Sequence, residues 1–261
     1  MEQREKQPDK APELVNTVVT TMAILECFNG QETELTLQQI GQRTGYFKSR
    51  VHRLCKTLIA LGYLARTAQN NYRLGPKVMV LGKVYEKTNT LKAIATPIMA
   101  ELSMRTQLSS TLYVLDRHRC ICLARELGPS RFAYVINEGD VEELYTTAAG
   151  RVLMAYSPDS FAEKILAKAK PVRFTPTTIT DPQKIMEELV FAREYGYAIN
   201  DQEREQGISA ISAPIFDHNN QIKASLAIVG LAHRFANDQL ENLCHELTDA
   251  TKQISYRLGE I

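Results

Sequence analysis

The chain of 261 residues has no apolar stretch approaching the ~18 uninterrupted residues a membrane-spanning helix requires. Its opening segment, Met1 to Pro12, is charged and polar and lacks the apolar core of a secretory leader, so the expected location is cytoplasmic. Cysteine is sparse: Cys27, Cys55, Cys120, Cys122 and Cys244 are odd in number, scattered, and never in C-x-x-C spacing. That pattern argues against a disulfide framework and against a structural zinc site. Cys120 and Cys122 alternate as strand residues do and should share a face as two small buried hydrophobes. A metal or redox role with His118 lacks a further ligand at suitable spacing.

Enzyme signatures are missing as well. There is no G-x-G-x-x-G after a strand, no G-x-x-x-x-G-K-[ST], no H-E-x-x-H and no G-x-S-x-G. The five histidines are dispersed, none paired in sequence with a nucleophile. No catalytic residue, metal or cofactor is assigned, and an enzyme is expected only if remote residues assemble a site. Internal repeats and low-complexity segments are also absent. What remains, 44% hydrophobic and 23% charged, is ordinary for a globular protein of two modest domains or one large one.

The net charge of +1 conceals an asymmetry. Residues 36–90 carry ten basic side chains against the single acidic Glu86, whereas the segments on either side are each net negative. A polyanion is therefore a plausible partner for this block alone.

Residues 1–13 read as a disordered arm. Asn16 is placed to cap a helix running to about Phe28, and Thr36 a short second helix that stops at Thr44-Gly45, where glycine accepts the left-handed conformation. A third helix runs from about Lys48 to Leu61. Two short segments, Tyr63–Arg66 and Tyr72–Gly75, flank an Asn-Asn tip and predict a hairpin. Pro76 opens a linker helix, and the Thr88-Asn89-Thr90 break is the expected boundary. The expected domains are thus 14–75, a linker over 76–90, and 91–261.

Beyond the break, helices are predicted at Leu91–Thr106, Ala149–Tyr156, Asp159–Ala169 and Asp181–Tyr195, with a last one capped by Asn237 and running to Leu258. Strands are predicted at Leu108–Leu115, Cys120–Leu127, Phe132–Ile136, Tyr197–Asn200, Ile208–Phe216 and Ile222–Leu231. This is an α+β pattern with a mainly antiparallel sheet flanked by helices.

The third helix carries the functional signal. Val51, Leu54, Cys55 and Leu58 follow i, i+3, i+4, i+7 spacing and form a buried stripe. Ser49, Arg53 and Lys56 then project opposite, beside Lys48, with Arg50 and His52 on the flanks and no carboxylate among them. Arginine forks onto guanine in the major groove, while lysine and serine suit phosphates. A short helix, a tight Thr-Gly turn, a helix of this kind and a hairpin behind it constitute a winged helix-turn-helix. Arg66 and Arg73 flank the wing. The alternatives are a solvated basic face, or a basic module that grips RNA or a protein; the block's aromatics sit mostly at packing positions rather than on an RNA-stacking platform.

The ordered series Leu35–Gly45, Lys48-Ser-Arg-Val-His-Arg-Leu54, Leu61-Gly-Tyr-Leu64 and Tyr72-Arg-Leu-Gly75 closely resembles the IclR family of bacterial regulators. The likeness continues through Thr147-Ala-Ala-Gly-Arg-Val-Leu153, Gly196-Tyr-Ala198, Glu203, Gly207-Ile208 and Ala213-Pro-Ile-Phe-Asp217, and covers nearly all of residues 15–258. Phe47 and Arg50 depart from the family pattern at the start of the recognition helix, so the operator sequence is this chain's own.

The resemblance implies a GAF-like C-terminal domain that binds a small, often carboxylate-bearing effector. It also implies a homodimer, with a dimer of dimers as a further assembly, on a pseudo-palindromic double-stranded operator. The segment Thr147-Ala148-Ala149-Gly150 precedes an apolar helix and offers exposed N–H groups to an anion, although small residues there also permit close helix packing. By resemblance the other walls come from Asn200, from Ile208 and Ala210, and from Ala227 and Val229. Some family members have serines at the latter pair and an acid at the position of Asn200. This pocket is therefore less polar and favours a ligand with an apolar or aromatic part. Arg151 is placed either to reach a ligand carboxylate or to face solvent, and Glu203-Arg204-Glu205 reads as a solvated turn.

Overall fold

The computed structural model describes residues 14–30, 32–129, 136–236 and 238–259. The expected arm at 1–13, the Asn237 cap and, apart from Ile136, the strand expected at Phe132–Ile136 lie outside them. The chain divides into two compact units, Met1–Lys87 and Thr88–Ile261.

In the first unit, helices α1 (Asn16–Leu25), α2 (Leu37–Thr44) and α3 (Lys48–Ala60) precede an antiparallel hairpin of β1 (Leu64–Arg66) and β2 (Tyr72–Leu74). Thr36 and Gln39 cap α2 reciprocally: the Gln39 N–H donates to Thr36 Oγ1 at 3.2 Å and the Thr36 N–H to Gln39 Oε1 at 2.8 Å. Gly45, at φ 70°, terminates α2. Leu35 bridges to Tyr72 beside the hairpin. Ile24, Leu35, Ile40, Val51, Cys55, Leu58, Leu64 and Tyr72 close the core.

The first helix differs from expectation. Its cap is Val15, without a side-chain hydrogen bond, and Asn16 is already helical. It also ends at Leu25 rather than near Phe28, because the Cys27 and Phe28 N–H groups turn back to Ile24 O and Leu25 O in tighter i→i+3 bonds. Helix α4 (Pro76–Thr88) buries none of its residues and exposes Met79, Val80, Leu81, Val84 and Tyr85.

The second unit is built on a six-stranded, wholly antiparallel sheet in the order β5-β4-β3-β8-β7-β6. Its strands are β3 (Ser109–Asp116), β4 (Arg119–Glu126), β5 (Val141–Glu143), β6 (Ala198–Asp201), β7 (Ile208–Phe216) and β8 (Ile222–Leu231). Helices α5 (Thr90–Thr106) and α9 (Asp238–Gly259) cover one face. Helices α6 (Ala148–Ala155), α7 (Asp159–Lys168) and α8 (Pro182–Tyr195) belong to the other.

Alternation along the strands sorts side chains between the two layers. Leu112, Ile211, Ala213, Leu226 and Ile228 meet α5 and α9, while Tyr113, Cys120, Cys122, Ala198 and Ala227 meet α6 and its neighbours. The three-residue edge strand β5 is too short to show a period and was not predicted. No helix among the described residues is long and apolar enough to cross a membrane.

Candidate functional site

On α3, Val51, Cys55 and Leu58 are buried and Leu54 is half-buried, whereas Lys48, Ser49, Arg53 and Lys56 are exposed and Arg50 and His52 half-buried. The cations of this block are not equivalent. Arg43 is spent on Glu32 and on Cys27 O, and Lys83 pairs with Glu86. Arg50 reaches Asn16 Oδ1 at 3.3 Å and lies over the Tyr46 ring. Arg66 donates to the Tyr72 hydroxyl at 2.7 Å and to Asn70 Oδ1 at 3.2 Å, with its guanidinium over the Tyr72 ring, so it also braces the wing. Arg73 stays exposed on β2. Among the described residues, no carboxylate forms an ion pair with Lys48, Arg53, Lys56 or Arg73. Phe47, immediately before α3, is 86% exposed.

In the second unit a narrow cleft opens between the sheet and the start of α6. Thr147, Ala148, Ala149, Asn200, Ile208, Ala210, Ala227 and Val229 line it together. Gly150 does not. Its N–H is donated to Thr147 Oγ1 at 3.0 Å, and a Cβ built on it would lie 2.2 Å from Leu144 O, so this glycine serves close packing. The helix geometry leaves the Ala148 and Ala149 N–H groups without intrahelical acceptors.

Asn200 is already committed. Its Nδ2 donates to Thr146 O at 2.8 Å, and its Oδ1 accepts from the Glu203 N–H at 3.2 Å. Thr111, Tyr113, Ile136, Arg204 and Ser209 also line the cleft and were not anticipated. Thr111 and Tyr113 come from β3, which becomes a wall only because it pairs with β8, setting Thr111 opposite Ala227.

Two sequence readings are corrected here. Arg151 is wholly buried, neither reaching the cleft nor facing solvent. Its Nη1 donates to Glu203 Oε1 at 2.7 Å and to Ile199 O at 3.1 Å, and its Nη2 donates to Glu203 Oε2. Glu203 is likewise buried rather than solvated, and its Oε2 also accepts from the Ile179 N–H at 3.2 Å. The cause is α6 itself: every one of its residues is buried, so a cation on it has no solvent face and must be paired. The neighbouring hollow lined by Ile179, Glu188, Asp201 and Glu203 is open and carboxylate-rich, which suits an anion poorly.

Burial pushes the Cys120 and Cys122 thiols up to about 12, and both pack in the α6-side core while His118 lies exposed in the β3–β4 turn. Among the described residues no cluster of three or more His, Cys, Asp or Glu is placed to hold a metal ion.

The family model described as the IclR helix-turn-helix domain matches residues 17–68, and that described as bacterial transcriptional regulator IclR C-terminal matches residues 83–256. The chain is 31% identical to the HTH-type transcriptional regulator KipR of Bacillus subtilis over 243 residues, covering 93% of this chain and 97% of that one. The structure resembles an IclR-type transcriptional regulator from Silicibacter sp. TM1040 at a TM-score of 0.86 and 26% identity, over 93% of this chain and 96% of that one. It shares its fold, at a TM-score of 0.77 and 24% identity over 93% and 98% of the two chains, with an IclR homolog from Microbacterium hydrocarbonoxydans complexed with 4-hydroxybenzoate. A cation-edged α3 with its wing, an antiparallel sheet between helical layers and two family models matched in order lead to one conclusion: the chain belongs to the IclR family of bacterial transcriptional regulators.

Proposed function

We propose that the protein reads an operator in duplex DNA with α3 and its wing, and that a small carboxylate-bearing metabolite in the cleft adjusts that affinity. Its relatives are transcriptional regulators rather than enzymes. The observation that carries the reading is the division of α3 into a buried apolar stripe and an unneutralised cationic edge.

In this reading Arg53 enters the major groove with Ser49 and His52. Lys48, Lys56 and Arg73 contact phosphates, and Arg50 and Arg66 add contacts from braced positions. Ala148 and Ala149 offer N–H groups to the effector's carboxylate, and Thr147, Asn200, Ile208, Ala210, Ala227 and Val229 shape the walls around its apolar part. Gly150 supports that wall from behind. The 4-hydroxybenzoate held by the Microbacterium homolog is an acid of this kind.

The exposed apolar side chains of α4 support pairing of two copies on a pseudo-palindrome in the cytoplasm. Half-sites would then lie about 34 Å, or a multiple, apart. Effector and operator would alter each other's affinity by the same factor.

The test is fluorescence anisotropy of the full-length protein with duplexes from its own upstream region. Binding is expected to be sequence-selective and to weaken steeply with salt. Arg53→Ala should lose discrimination between operator and scrambled duplex by about tenfold or more while ligand binding is unchanged. A variant that footprints like the parent would show that another surface reads the DNA.

A further inference from the structure

Among the described residues lining the cleft, Arg204 alone carries a charge. Its guanidinium lies over the Phe174 ring, 4.0 Å from the centroid, which holds the plane in place. One edge is engaged: an Nη lies 3.2 Å from Glu142 Oε2 on the edge strand β5. The fork is not filled, since Nε is buried with no hydrogen-bond partner. A buried guanidinium donor without an acceptor is costly, and a planar two-oxygen anion is the group that matches its geometry.

The partner it does have is poorly accommodated. The Glu142 side chain is only 12% exposed, and burial pushes its pKa up in spite of Arg204, with Asp140 and Glu143 adding negative charge nearby. Three of the other polar side chains around the cleft are already engaged: Asn200 on Thr146 and Glu203, the Thr147 hydroxyl oxygen on Gly150, and the Ser209 hydroxyl on Asp201 at 2.8 Å.

We propose that Arg204 supplies the positive charge that reads the effector's carboxylate, in addition to the Ala148 and Ala149 N–H groups, and that Glu142 is an internal carboxylate competing with the ligand for the same guanidinium. This rests on the effector reading above and gives it a charge rule. An incoming acid completes the fork on Arg204 and displaces Glu142, whose position on a three-residue edge strand tethers it weakly. The neutral amide of the same acid brings one acceptor oxygen and no charge to Arg204, too little to displace Glu142. The cleft therefore selects for charge at one end of the ligand and for apolar bulk at the other, where Ile136, Ile208, Ala227 and Val229 face it.

The experiment is isothermal titration of the full-length protein with acetate, isobutyrate, benzoate and phenylacetate, each beside its primary amide. The parent should bind at least one acid about tenfold or more tighter than its amide. Arg204→Gln should bring the acid down to the level of the amide, Arg204→Lys should restore part of the preference, and Glu142→Gln should tighten the acid severalfold without moving the amide. Far-UV circular dichroism and a cooperative thermal transition for Arg204→Gln show that the variant is folded.

An acid-to-amide ratio unchanged in Arg204→Gln overturns the assignment of Arg204. Weaker acid binding by Glu142→Gln overturns the competition. Equal binding of acid and amide by the parent removes the charge rule but leaves an effector cleft, whereas a parent that binds none of the eight compounds (four acids and four amides) removes the effector reading and this inference together.

Discussion

Cutting one half of the Arg151–Glu203 pair should destabilise the second unit more than any single change in the cleft wall. Arg151 is 0% exposed and the Glu203 side chain 6%. Glu203→Gln keeps the shape but leaves a dry guanidinium without its counter-charge, since Glu188 is 3.8 Å away and partly hydrated. Arg151→Met leaves a buried carboxylate still bonded, among the described residues, by the Ile179 N–H. Breaking a buried pair from one side costs about 3–5 kcal/mol. For a unit the size of Thr88–Ile261, each kcal/mol lowers Tm by about 2–4 °C, so the expected fall is about 6–20 °C. Differential scanning calorimetry of the full-length variants reads this directly.

The paired replacement Arg151→Met with Glu203→Gln buries no orphaned charge and should lose distinctly less than the two single variants together. A Glu203→Gln protein melting within about 2 °C of the parent, or strict additivity in the pair, would refute the reasoning. Because the Glu203 N–H holds Asn200 Oδ1, ligand affinity should fall along with stability.

Gly150→Ala would drive a Cβ against Leu144, 2.2 Å from its O and 2.5 Å from its Cα, so overpacking should cost about 1–3 kcal/mol or more by urea unfolding; a neutral result would mean that α6 can slide. Glu142 binds its proton more tightly folded than unfolded. Its contribution is therefore fully present below the ordinary carboxylate range and is lost as pH rises through the raised folded value. The Tm of the parent minus that of Glu142→Gln should thus decline as pH rises above the ordinary carboxylate range, and a flat or rising difference would contradict it. Burial pushes the Cys55 and Cys244 thiols to about 11, and Cys120 and Cys122 to about 12. A disulfide reagent at about pH 8 should leave all four unmodified until denaturant is added, and rapid labelling of any one would show local opening.

The features legible in the sequence are those written into neighbouring residues. The Thr36–Gln39 box, the left-handed Gly45 and the apolar stripe of α3 each lie within one or two helical turns, where backbone geometry alone relates the side chains. The inward-facing pairs Ile208 with Ala210 and Ala227 with Val229 follow from a period of two in the same way. Asn16 was misplaced because a good capping residue does not oblige the helix to begin after it. Asn16 Oδ1 lies instead within hydrogen-bonding reach of Arg50 and Thr20.

Arg151 shows where local reading fails. Helical periodicity says which residues share a face, but not whether the opposite face meets water, and α6 is enclosed on every side. Its partner Glu203 is 52 residues away, brought there by the strand order, and no spacing rule connects them. Arg204, Phe174 and Glu142 converge for the same reason, from a turn, a loop and an edge strand. Local chemistry along the chain thus settled which helices form and which edge of α3 is cationic. Which buried charges are paired, and which cation is left facing the cleft, depended on long-range strand pairing, because the cost of taking a charge from water is decided by what the rest of the fold places beside it.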